Sequence, residues 1–196
     1  MDFASAIIRE GDRVTASGRL VRSETGDWFE PPVPVTANFP LVRRVRPAWP
    51  GSVRIVGADF GAELTGRFER DGAVEGAATL TGTWAADRLR VERQDLHVRQ
   101  PPKVPNWTVP PCPPPAGGWP HTRAELEAVR AHLHAHHDDW NLWAWGETST
   151  EDGQALVTAR LTRILPEIAT WAAGLPAGIL GLEPWLTPTR SHNGTF

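Results

Sequence analysis

Residues 101–120 read PPKVPNWTVPPCPPPAGGWP, and this stretch divides the chain into two differently patterned halves. Nine of its twenty residues are proline. Each proline fixes its own φ, removes an amide donor and pushes the residue before it toward extended backbone. No helix or central strand can run through it, so it reads as a semi-rigid strap of polyproline character. Apolar residues alternate with period two before the strap and recur with mainly helical spacing after it. The expected fold is α+β. Residues 1–100 form a small β-barrel domain, 101–120 the strap, and 121–196 a small α/β domain packed on the first. Roughly 75 residues bury too little surface to be secure alone, which is why the second part is expected to lean on a neighbour.

Before the strap, residues 13–22 alternate loosely and SETGDW at 23–28 reads as a turn-rich loop. Short β-favouring pieces follow at 33–36, 41–46 and 52–56. Residues 59–68 read as a short helix, with Asp59 as N-cap and Phe60, Leu64 and Phe68 as one stripe. Asp71-Gly72 supplies its stop. Then Val74, Gly76, Ala78, Leu80, Gly82 and Trp84 alternate with polar or small residues. After a turn at 85–87, Leu89 and Val91 alternate with Arg88, Arg90 and Glu92. Strands, a short helix and a closing hairpin resemble an OB-fold barrel, whose helix lies between its third and fourth strands. Gly76 and Gly82 suit the tight bends of such a barrel.

After the strap, Thr122 with Glu125 makes a capping box, and Leu126, Val129, Leu133 and Trp140 line one helical face. Residues 142–147 and 155–161 read as two strands. A second helix starts at Pro166, with Ile168, Trp171, Ala172 and Leu175 inward, and residues 179–182 and 185–186 end in extended form. This α-β-β-α-β order looks like an incomplete ferredoxin-like unit without its opening strand. WTVPPCPPPAGGWP at 107–120, LPEIATWAAGLPAG at 165–178 and EPWL at 183–186 together carry a resemblance. The chain resembles a group of uncharacterised actinobacterial proteins, some of them longer between strap and first helix. That resemblance implies no activity, cofactor or catalytic residue.

Composition narrows the function classes. Residues 1–100 hold 14 arginines against 14 acids, and residues 101–196 hold 6 basic against 9 acidic residues. Neither half has the basic excess of a general nucleic-acid binder. Cys112 is the single cysteine, so intrachain disulfides and Cys-based metal sites are excluded, and its proline surroundings offer no base to activate it. The start has no basic leader and no run approaches 18 apolar residues, so a cytoplasmic protein without a membrane partner is expected. Of the ten tryptophans several are expected in the core, and a surplus at the surface would mark a recognition face.

Two clusters carry possible chemistry. His132, His136 and Asp139 fall within about 60° on the first helix, a spacing that can present two imidazoles and a carboxylate to a divalent metal. The same row can serve as a polar flank beside the Leu126/Val129/Leu133 stripe. Arg43, Arg44, Arg46 and Trp49, with Arg54 beyond, lie where an OB-like barrel binds single strands, or else on a charged edge that discourages aggregation. No nucleophile elbow, P-loop, dinucleotide fingerprint or zincin motif occurs, so no catalytic residue and no cofactor other than that metal is singled out. The expected function is a non-catalytic module that binds another protein through its tryptophans or strap. The alternatives are a single-stranded nucleic-acid-binding protein and a metal-dependent enzyme built on the histidine helix.

Overall fold

The computed structural model describes residues 3–32, 51–61, 63–70, 72–96, 120–150 and 153–189. All of the strap except Pro120, the pieces expected at 33–36 and 41–46, and Cys112 lie outside them. The described chain is a mostly-strand α+β protein with a ring-like sheet and a second, smaller sheet. It divides into two compact units.

The first unit holds β1 (Arg13–Ser23), β2 (Gly26–Glu30), β3 (Val53–Val56), β4 (Thr65–Arg70), β5 (Ala73–Ala85) and β6 (Arg88–Asp95). β1 pairs with β2 and β2 with β3, both antiparallel; β3 runs parallel to β6. β6 pairs with β5, and β5 returns to β1 over ten residue pairs, which closes the ring. The ring is not an even barrel. β2 and β3 share two pairs, β3 and β6 three, and β4 takes part of the β5 edge that β6 takes farther along. Strict alternation builds the wall: Ala78, Leu80 and Trp84 are buried from β5, as are Val14, Leu20, Phe29, Ile55 and Leu89 from the neighbouring strands. Each such large side chain stabilises the fold by about 1.5–3 kcal/mol on burial.

The structure corrects the helix expected over residues 59–68. Asp59 Oδ1 accepts a bond from the Gly61 amide in a turn, Gly66 takes φ +62°, and residues from Thr65 onward pair with β5 instead. Two glycines weaken a helix by about 1 kcal/mol each, and the open β5 edge offers a ladder in its place. Phe60 and Leu64 are buried as their spacing suggested, whereas Phe68 is 51% exposed on β4. β2 was also hidden: the turn that SETGDW supplies is only Glu24-Thr25, and the strand begins at Gly26.

The second unit contains α1 (Arg123–Ala135), β7 (Leu142–Ser149), β8 (Ala155–Leu161), α2 (Pro166–Ala173) and β9 (Leu180–Pro184). Thr122 and Glu125 form the reciprocal capping box, and Pro166 opens α2. Leu126, Val129 and Leu133 of α1 pack with Ile168 and Ala172 of α2 on Val157, Ala159 and Leu161 of β8. β9 pairs directly and in parallel with β8. In a ferredoxin-like unit the opening strand would separate these two, so the second sheet departs from that expectation. The α2 crossover is a βαβ connection that brings its two strands together.

Chain ends do not stay with their nearest neighbours in sequence. Residues 3–7 group with the second unit, where the 3-10 turn Phe3–Ala6 packs by α2 and Ile7 bridges to Ile164. Residues 186–189 group with the ring, where Pro188 bridges to Val14, Thr189 donates to the Arg13 carbonyl at 2.6 Å, and Leu186 is fully buried. No helix among the described residues is long and apolar enough to cross a membrane.

Candidate ligand-binding face

Strand register brings together charges that are scattered in sequence. Trp28 on β2 lies opposite Arg54 on β3, and Arg54 lies opposite Arg88 on β6. One step along, Val56 lies opposite Arg90. Val53, Ile55 and Leu89 point into the ring, so alternation turns Arg54, Val56, Arg88 and Arg90 outward. Paired strands lie about 4.8 Å apart and same-face residues about 6.6 Å apart along a strand, which places the three guanidinium stems on one patch.

Neutrality of the ring as a whole conceals this patch because several of its acids pair with other arginines. Arg19 pairs with Glu30 at 2.6 Å and Glu75 at 3.1 Å, Arg22 with Asp27 at 2.8 Å, Arg13 with Glu92 at 3.3 Å, and Arg67 with Glu69 at 2.9 Å. The two-pronged bond to Asp27 holds Arg22 charged above the usual arginine range. Arg54, Arg88 and Arg90 have no carboxylate partner among the described residues, and all three are exposed. Instead, the Arg54 guanidinium lies 4.4 Å from the Trp28 ring centroid. Trp28 is fixed in turn, since its indole N–H donates to Thr25 Oγ1 at 3.2 Å. Gly26 makes room for this stack: a Cβ there would come within 2.7 Å of Arg54 Nη1. Val56, 51% exposed, extends the apolar part of the patch.

Arg43, Arg44, Arg46 and Trp49 lie outside the described residues. Arg54 and the alternation of Arg88 and Arg90 are visible in the sequence, but parallel pairing of β3 with β6 joins residues more than thirty positions apart, which no local pattern reveals. A depression of about 260 Å³ elsewhere on the ring is lined by Asp59, Gly61, Glu63, Leu64, Gln94 and Leu96. It falls short of the roughly 300–1,000 Å³ typical of small-molecule sites.

The histidine helix has a different setting from a bare polar flank. His132 and His136 lie with ring centroids 4.5 Å apart, and His136 Nδ1 is 3.9 Å from Asp139 Oδ2. His132 stacks on Trp171 of α2 at 4.5 Å, and His136 on Trp140 at 4.9 Å. On the other side, His134 and His137 lean on Trp145, with His137 Nδ1 2.8 Å from the His134 carbonyl and donating to it. Among the described residues no group of three His, Cys, Asp or Glu side chains is placed to hold a metal ion.

Burial between these rings, together with the neighbouring His136, pulls the His132 imidazole below its usual pKa. The folded state therefore keeps His132 neutral where an unfolded chain, titrating at about 6.5, already takes up the proton. Its contribution to stability is present above about 6.5 and lost as pH falls toward the folded value. The thermal midpoint of the second unit should decline over that interval, and His132→Asn should flatten the decline. An equal decline in native and variant proteins would contradict this. No protein-family model, curated protein or solved structure matches the chain.

Proposed function

We propose that this protein is a non-catalytic binding module of OB-like topology that holds a polyanionic partner on the outer face of β2, β3 and β6. The observation that carries the reading is the set of three exposed arginines that have no acid partner among the described residues, beside a fixed tryptophan. The OB-like assignment is supported by the ring order β1-β2-β3-β6-β5, with the β4 segment standing where an OB barrel carries its helix. In such barrels the face of the second and third strands commonly binds extended ligands. Unpaired guanidiniums favour phosphate, sulfate or carboxylate oxygens because each offers a planar fork of donors.

Retention on immobilised heparin tests this reading. Native protein should bind at low salt and elute as salt rises. Arg54→Ala/Arg88→Ala/Arg90→Ala should pass unretained, while Arg123→Ala/Arg130→Ala, on the second unit, should behave as native. Failure of the native protein to bind, or equal retention of the triple variant, would overturn the proposal.

A further inference from the structure

We infer that the polyanion is a single nucleic-acid strand, with Trp28 as its base-stacking platform and Arg54, Arg88 and Arg90 as its phosphate contacts. This rests on the polyanion-binding reading and adds a partner to it. Three features of the patch select this chemistry. First, the cations are spread along two strands and do not converge on one point, which suits a repeating anion better than a lone phosphate. Second, Trp28, which among the described residues is the aromatic ring paired in register with them, is oriented by its bond to Thr25 and flanked by the Arg54 guanidinium. Stacking of bases on such planar groups needs no sequence readout. Third, that stack is built in: Gly26, at φ +120°, leaves the space that Arg54 occupies. An acidic peptide would use the guanidiniums but gain little from the ring, and a sulfated sugar can lay only a C–H face on Trp28, whereas a base adds an aromatic face. A duplex keeps its base faces covered, so it would meet only the charges.

Binding of a fluorescein-labelled oligothymidine to the full chain, read by anisotropy at low salt, tests the inference. The native protein should bind the single strand more tightly than a duplex of the same length or polyglutamate. Trp28→Ala should weaken oligothymidine binding by about tenfold and leave heparin retention nearly unchanged. Trp28→Phe, which keeps a ring, should retain most of the affinity and guards against a folding defect in the alanine variant. Arg88→Ala and Arg90→Ala should weaken both ligands. If heparin binds but Trp28→Ala and Trp28→Phe both leave oligothymidine affinity unchanged, the single-strand inference falls and the polyanion reading stands. Tighter binding of polyglutamate than oligothymidine would point to an acidic protein partner and likewise overturn it. If no polyanion binds, both readings fall.

Discussion

Gly82→Ala is expected to destabilise the ring by about 3 kcal/mol, the upper end for forcing an extra carbon into a packed site. Gly82 stands where the β5–β6 register shifts, opposite Val91 and beside Arg90. A Cβ there would lie inside the van der Waals surface of the Arg90 carbonyl and 3.1 Å from Val91 Cα. These are backbone atoms in a ladder and cannot swing aside, so relief requires the two strands to part. For a domain of this size the loss corresponds to a fall of roughly 12–24 °C in thermal midpoint. Gly146→Ala is the matched control. Nothing lies within 4 Å of a Cβ at that position, so the change should be neutral or slightly stabilising. Equal midpoints for Gly82→Ala and native protein would show that the closure of β5 on β6 is looser than described.

The second large effect comes from the chain ends. Leu186 is fully buried in the ring, so Leu186→Ala should cost about 2–5 kcal/mol in that unit. Phe3, Ala6 and Ile7 pack against the core of the second unit. A chain beginning at Ile8 should therefore show faster amide exchange in α2 and β8. A fragment of residues 121–196 lacks the segment at 3–7 that its core uses and should show no cooperative thermal transition. Cooperative melting of that fragment would contradict the assignment of residues 3–7 to its fold.

How far the sequence was legible depends on whether a local pattern coincided with the long-range one. The β5–β6 hairpin was readable because thirteen residues of alternation, a tight turn and a second alternating run all agree. α1 and α2 were readable from their caps, Thr122/Glu125 and Pro166. The segment at 59–68 misled because Phe60, Leu64 and Phe68 have helical spacing while a β5 edge, distant in space from any local cue, takes residues from Thr65 onward. β9 was found, but its parallel seat on β8 was not, since pairing direction across a crossover leaves no mark on composition. The shared face of His132 and His136 follows from helix geometry, whereas Trp171 arrives from another helix. The arginine face of β3 and β6 was the least legible part. Net charge gave balance, and only the ion pairs of Arg13, Arg19, Arg22 and Arg67 show which arginines already have acid partners.

The salt dependence of oligothymidine affinity tests the central claim most directly. Three phosphate contacts predict a slope of log K against log salt of about −2, because each contact on a single strand contributes about 0.7. Arg54→Ala, Arg88→Ala and Arg90→Ala should each lower the magnitude of that slope by about 0.7. A slope near zero, or one that none of the three substitutions changes, would contradict the claim that the outer face of β2, β3 and β6 binds the strand.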